Sequence, residues 1–267
     1  MKCVFEAMET TPVDRITPPS VEEFETRYRA RSRPVIMRGA IDDWPARRLW
    51  SGDYFRGRFG ERMVPALRSR QGSVYDVQTG AHYESIRMAD YVGLLAAGTP
   101  TDFYVTFRVQ ETMPELFDDI VRPAYCGDAA WTSSKLWFAS PGARSPLHRD
   151  LPQNLYAQIV GHKTFYLIDR RFSRRFHGHS FLSRVPNCSP VDAEAPDLAR
   201  YPRFHDTPVL RAEVGPGDLL YIPSLWWHQT RSPETSVALN LFWVNGMMAC
   251  AAARAAQLFM RLRGFKL

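Results

Sequence analysis

The 267-residue sequence predicts a mainly β protein, a sandwich or jelly-roll barrel with α/β segments before it and a helix after it. Three observations carry that prediction. From Lys135 onward the chain breaks into short β-prone runs at 135–139, 146–150, 154–160, 163–168, 209–214, 218–222, 226–231 and 236–243, punctuated by Gly, Pro and Asp. Helical signals are confined to the first half and to 246–267. A composition that is 45% hydrophobic and 13% aromatic suits a packed interior and excludes global disorder.

Taken in order, residues 1–19 read as an irregular lead-in. Ser20 opens Ser-Val-Glu-Glu, a capping box with Glu23 at the third helical position, and Phe24 and Tyr28 share the face behind it. The run PVIMRG, closed by Gly39, reads as a buried strand, and Asp42 to Pro45 as a turn. Residues 51–59 form a short helix stopped by Gly60, and 63–67 a strand. Residues 69–85 are polar and loop-like, with a short strand near Val74 to Val77. A helix at 88–97 ends at Gly98 and Pro100. The run 102–109 alternates, placing Phe103, Val105 and Phe107 on one face and Tyr104, Thr106 and Arg108 on the other. A short helix is expected at 113–122. The stretch 170–208, rich in Arg, Pro and Asp, is long for a loop and is expected to serve function or be ordered by its own packing. After Gly246, residues Met248, Ala252, Ala255, Phe259 and Leu262 recur near helical spacing. The expected organisation is a single domain over 1–245, with its core barrel at about 102–245, and a C-terminal helix over 246–267.

The net charge is +6, and the basic residues are nearly all Arg; Lys occurs only at 2, 135, 163 and 266. That balance permits an acidic ligand or RNA without requiring one. No apolar run approaches the roughly 20 residues that span a bilayer, and the N-terminus lacks a signal peptide's apolar core. Cys3, Cys126, Cys188 and Cys250 lie far apart, with no zinc-like or C-x-x-C spacing, which suits reduced thiols. A cytoplasmic protein with no membrane association is expected.

The chemistry concentrates in SPLHRDLPQNLYAQIVGHK, residues 145–163. His148 and Asp150 are two apart, so a strand projects both from one face. One imidazole and one carboxylate on a face are two-thirds of a 2-His-1-carboxylate site for non-haem Fe(II). His228, at the end of GDLLYIPSLWWH, is the candidate third ligand, against the alternative of a hydrogen-bonded core histidine. Lys163 begins KTFYLID and shares a face with Phe165 and Leu167. It is either a solvated hairpin lysine or an inward cation that needs an anionic partner, such as the distal carboxylate of a 2-oxoacid. Arg170, Arg171, Arg174 and Arg175, with His177 and His179, form a basic cluster. It reads as a solvated turn or as a contact for an acidic substrate or RNA phosphate.

The motifs SPLHRDLPQNLYAQIVGHKTFYLID, APDLARYPRF and VGPGDLLYIPSLWWHQT, in that order, resemble the cupin-type JmjC hydroxylases. The resemblance is to the group that includes the asparaginyl hydroxylase of hypoxia-inducible factor and the tRNA wybutosine hydroxylase; RPVIMRGAIDDWPA is similar to its N-terminal strand and turn. It implies a double-stranded β-helix of the cupin type. It also implies that His148, Asp150 and His228 ligate iron and that Lys163 pairs with the 2-oxoglutarate distal carboxylate. Tyr104 and Ser145 match positions that hydrogen-bond the same carboxylate, with Ser145 standing where Thr is frequent. Asn154 and Asn240 match polar positions lining the co-substrate pocket or are strand-edge and turn residues; whether Phe242 or Trp243 packs there stays open.

The implied activity is an Fe(II)- and 2-oxoglutarate-dependent dioxygenase, consuming dioxygen and hydroxylating an unactivated C–H bond. The expected target is a peptide or protein side chain or a biosynthetic intermediate. A tRNA base hydroxylase, an N-demethylase and a non-catalytic ligand-binding cupin are the alternatives. The helix at 246–267, with its small-residue stripe, is a candidate homodimer element, an intramolecular lid on the barrel being the alternative.

Overall fold

The computed structural model describes residues 9–68, 82–98, 101–127, 131–176 and 187–244. Alternation of side chains sets two sheets face to face. Eight strands form the sandwich: β7 (Trp131–Ala139), β8 (Arg144–Arg149), β9 (Gln153–Val160), β10 (Lys163–Ile168), β11 (Val209–Val214), β12 (Leu219–Ile222), β13 (Trp227–Arg231) and β14 (Ser236–Trp243). The smaller sheet runs β11-β10-β13-β8 and the larger runs β12-β9-β14-β7, so consecutive strands mostly alternate between sheets. This is the jelly-roll double-stranded β-helix expected from the sequence. Gly161, at φ +67, makes the turn from β9 to β10; a Cβ there would lie 2.2 Å from the Thr235 carbonyl oxygen.

Both sheets continue outward. On the β11 edge lies β1 (Thr10–Pro12), pairing in parallel. The large sheet gains β3 (Val35–Met37) and β2 (Arg15–Ile16) beyond β12. Beyond β7 it gains β6 (Phe103–Arg108), β4 (Met63–Arg68) and β5 (Tyr83–Arg87). The described part of the lead-in, from residue 9, is therefore not wholly irregular. Its two short strands are recruited by open sheet edges through backbone bonds, which leave no side-chain signal. The same holds for β5, which falls partly in the stretch read as loop; the expected strand near Val74 to Val77 lies outside the described residues.

Short helices cover the outer face of the large sheet. They are α1 (Val21–Phe24), α2 (Ala46–Leu49), α3 (Gly52–Phe59), α4 (Met88–Ala96) and α5 (Val109–Thr112). Ser20 caps α1, its Oγ accepting from Glu23 N at 3.1 Å, and the helix continues as a π turn over Glu25–Arg29. The expected helix at 113–122 is instead a 3₁₀ turn over Pro114–Asp119. Phe24, Tyr28, Phe55 and Tyr91 pack with Phe138, Leu155, Leu239 and Trp243 in the largest core cluster. Each buried aromatic side chain there contributes roughly 2–3 kcal/mol of hydrophobic stabilisation.

The stretch after β10 covers the other outer face. Phe176, Val191, Tyr201 and Phe204 pack on Leu147, Tyr166, Ile168 and Trp227 of the small sheet. Asn187 and Ser189 also bond the free edge of β8 (Arg149 N to Asn187 O, 3.0 Å; Ser189 N to Leu147 O, 2.8 Å). The described residues of this segment are thus packed onto the sheet, in keeping with one of the two roles expected for it. The helix expected over 246–267, with its proposed dimer contact, lies outside the described residues, as do His177 and His179. Among the described residues no helix is long and apolar enough to cross a membrane. Cys126 and Cys188 are buried free thiols.

Candidate metal and co-substrate site

Between the sheets, the inner faces of β8, β13, β9 and β14 enclose a pocket of about 360 Å3, counting its open mouth. His148 is the penultimate residue of β8, and His228 lies directly across from it on β13. Asp150 follows on the loop. One donor atom from each of the three lies within 4.8 Å of the others. The imidazole rings are 4.2 Å apart, and His228 Nε2 is 3.5 Å from Asp150 Oδ2.

Backbone carbonyls orient both rings. His148 Nδ1 is 2.8 Å from Pro146 O, and His228 Nδ1 is 3.1 Å from Trp226 O. A carbonyl only accepts, so each Nδ1 carries the proton and each Nε2 keeps its lone pair for the pocket. Burial, reinforced by the neighbouring His148, pushes His228 down to about 4, against the pull of Asp150, so its ring is neutral at physiological pH. Two imidazoles and one carboxylate suit a divalent first-row metal with open coordination positions.

A clamp joins the two ligand-bearing loops. Leu225 takes φ +63, a left-handed conformation rare for leucine, and its N–H donates to Asp150 O at 2.8 Å. Ser224 Oγ donates to Leu151 O. The Gln153 side-chain oxygen accepts from Ser224 N (3.1 Å) and Tyr221 Oη (2.7 Å). Backbone strain at Leu225 thus serves the register between Asp150 and His228.

Deeper in the pocket Lys163 is 2% exposed. Its ammonium donates to Tyr104 Oη at 2.9 Å and sits 5.4 Å from the ring centroids of Tyr104 and Tyr156. It forms no salt bridge among the described residues, and burial lowers it to about 7. An inward cation lacking a carboxylate is a site built for an anion. Ser145 Oγ lies 2.8 Å from Thr230 Oγ1 and accepts from Thr230 N at 3.2 Å. Asn240 Nδ2 donates to Asn154 Oδ1 at 2.7 Å and Asn240 Oδ1 accepts from Trp137 Nε1, while buried Asn154 Nδ2 has no partner.

All eight residues singled out by the sequence, His148, Asp150, His228, Lys163, Tyr104, Ser145, Asn154 and Asn240, line this one pocket. Simple alternation would put Ser145 and His148 on opposite faces. A β-bulge between His228 and Thr230 in the β8–β13 pairing lets both face inward. Phe242 lines the pocket, whereas Trp243 packs in the outer core.

Sequence reasoning missed Trp137, Tyr156 and Thr230. Their signal was positional: Tyr156 lies two after Asn154, and Thr230 two after His228. It also missed Cys188, whose backbone bridges to His148 and whose thiol is pushed up to about 12 by burial and the nearby Asp150. The described arginines of the basic cluster, Arg170, Arg171, Arg174 and Arg175, are not among the described residues that line the pocket. Arg171 pairs with Asp169 at 3.3 Å, and Arg171 and Arg175 stack on Phe172.

A jelly roll holding two histidines and an aspartate between its sheets defines a metal-dependent cupin. The chain belongs to the cupin-like domain family, the JmjC cupins, whose model matches residues 21–247. Among curated relatives it is 33% identical to lysine-specific demethylase 8 of Danio rerio, covering 88% of this chain and 59% of the relative. Against lysine-specific demethylase 8 of Xenopus tropicalis the identity is 31%, over 87% of this chain and 53% of that one. The chain therefore spans only a little over half of these two relatives. It is 26% identical to human tRNA wybutosine-synthesizing protein 5, over 94% of this chain and 87% of the relative. The human bifunctional peptidase and (3S)-lysyl hydroxylase JMJD7 is also 26% identical, over 85% of this chain and 82% of the relative.

JmjC cupins are oxygenases that use Fe(II) and 2-oxoglutarate. The donor set His148, Asp150 and His228, the unpaired buried ammonium of Lys163 and the orphaned amide of Asn154 fit those two groups.

Proposed function

We propose that this protein is an Fe(II)- and 2-oxoglutarate-dependent hydroxylase of an unactivated C–H bond, acting on a peptide or protein side chain or a biosynthetic intermediate. The observation that carries the reading is a facial His/Asp/His group sharing one pocket with a buried lysine that has no carboxylate. When bound, metal and co-substrate supply the oxidising power: dioxygen is reduced as 2-oxoglutarate becomes succinate and CO2, and a substrate C–H becomes C–OH.

The chain's own residues do the rest. His148, Asp150 and His228 hold the metal, their orientation set by Pro146, Trp226 and the Leu225 clamp. Lys163 and Tyr104 receive the distal carboxylate, joined by the Ser145 hydroxyl. Asn154 and Asn240 meet polar atoms nearer the metal. Trp137, Tyr156 and Phe165 wall the pocket against water. A reducing, cytoplasmic setting accords with the free thiols of Cys126 and Cys188.

The test is anaerobic loading with Fe(II), then air and 2-oxoglutarate. Succinate formation that vanishes in Asp150→Ala supports the oxygenase, and a protein that takes up no iron is a binding module instead. Lys163→Ala should lose turnover that high 2-oxoglutarate partly restores; an indifferent variant would point to a cupin dioxygenase that needs no 2-oxoacid.

A further inference from the structure

Two cations stand side by side on the inner face of the large sheet. Lys135 on β7 lies directly opposite Arg108 on β6 and, on its other side, opposite Asn240 on β14. Directly opposed residues of antiparallel strands share a face, so all three belong to the face that carries Trp137 and Asn240 into the pocket. The Lys135 ammonium sits 4.7 Å from the centroid of the Trp137 ring, which holds it against the pocket wall. Arg108 has a side chain only 12% exposed and pairs with Glu111 of α5 at 3.1 Å. Lys135 has no acidic partner among the described residues. In a chain whose basic residues are nearly all Arg, one of the two described lysines, Lys163, lines this pocket, and the other, Lys135, sits on Trp137 of its lining.

Like charges directly opposed across a ladder repel and weaken the pairing. One exposed glutamate offsets one of the two. The remaining charge, on Lys135, is ordered by the face of Trp137, a residue of the pocket lining. An ammonium with no acidic partner, fixed by an aromatic face, matches a carboxylate. A nucleic-acid backbone is met by a tract of solvent-facing cations, whereas Lys135 is a half-buried cation on an aromatic ring.

We infer that Lys135, held on the Trp137 ring, docks a carboxylate of the substrate, so that the preferred substrate is a peptide with an acidic side chain close to the residue oxidised. This rests on the hydroxylase reading above and names the substrate class for the same pocket.

The experiment uses the Fe(II)-loaded protein with 2-oxoglutarate and three randomised peptide pools of equal length, enriched in Asp/Glu, Asn/Gln or Lys/Arg. Gain of one oxygen is read by mass spectrometry, with succinate measured alongside. The wild type should oxidise the acidic pool about tenfold more than the amide pool, the ratio that a contact of about 1.4 kcal/mol supplies. Lys135→Gln should bring the two pools within about twofold, Lys135→Arg should keep the preference, and Lys135→Glu should shift it to the basic pool. The preference should also shrink as salt is raised.

Succinate formation with equal oxidation of the acidic and amide pools would overturn this inference alone, as would an acidic preference that survives in Lys135→Gln. Oxidation of a tRNA transcript in place of every peptide pool would overturn it in favour of RNA. No succinate from the wild type would sink the hydroxylase reading and this one with it.

Discussion

Replacing Lys163 by Met should make the metal-free protein more stable, although it removes a proposed binding residue. Burial lowers this ammonium from the ordinary lysine value of 10.5 to about 7. At about 1.4 kcal/mol per pH unit, holding it charged in the folded protein costs about 5 kcal/mol below pH 7. The tyrosine faces beside it offset part of that, leaving about 3–5 kcal/mol. The sign follows from proton counts. Between about pH 7 and 10.5 the unfolded chain holds a proton that the folded chain has released, so wild-type stability rises with pH across that window. Below pH 7 both states are protonated and the contribution is flat. Met fills similar space without charge but gives up the hydrogen bond to Tyr104, worth about 1 kcal/mol. The expected net gain near pH 7 is about 2–4 kcal/mol.

Urea unfolding of metal-free wild type and Lys163→Met from pH 6.5 to 9.5 reads both the offset and the slope. The variant should be the more stable at pH 7 and lack the wild type's rise at higher pH. Calorimetry on zinc-substituted protein should show 2-oxoglutarate binding the wild type with proton uptake above pH 7, its affinity falling toward tenfold per pH unit. A Met variant that is less stable than wild type and keeps the same pH slope would refute the reasoning.

Three further outcomes follow from the architecture around the metal ligands. Gln153→Leu removes the acceptor for Ser224 N and Tyr221 Oη and should cost about 1–3 kcal/mol in unfolding, with Co(II) affinity down about tenfold by absorbance titration. Unchanged cobalt affinity would detach Gln153 from the metal site. Leu225→Gly relieves a left-handed backbone worth about 1–2 kcal/mol against about 0.5–1 kcal/mol of added chain entropy. Its stability should stay within about 1 kcal/mol of wild type, and a larger loss on thermal unfolding would mean the leucine side chain matters more than its backbone. Ser145→Ala strips the Thr230 N–H at the bulge of its side-chain acceptor and should cost about 1–2 kcal/mol, with weaker 2-oxoglutarate binding by calorimetry.

Much of the site was legible because ligand chemistry is local. His148 and Asp150 are two apart in the sequence, although β8 ends at Arg149 and leaves Asp150 on the loop where the sequence predicted strand. Lys163 shares a face with Phe165 and Leu167 whatever the rest of the chain does. Tyr104 could be placed on the face opposite Val105 and Phe107 for the same reason, and the structure puts those two in the outer core. Edge strands were less legible. Thr10–Pro12, Arg15–Ile16 and Tyr83–Arg87 pair through backbone groups at sheet margins, so no alternation of side chains announces them.

By itself the sequence determined the period of each strand and the residue types carried on each face, because a strand's side chains alternate without reference to any partner. Only the tertiary structure decided which faces meet. It took the β8–β13 bulge to turn Ser145 and His148 to the same side, the left-handed Leu225 to tie Asp150 to the His228 loop, and strand order to set Lys135 beside Arg108. These are relations between strands far apart along the chain. They depend on register, which is fixed only when the buried faces close on one another.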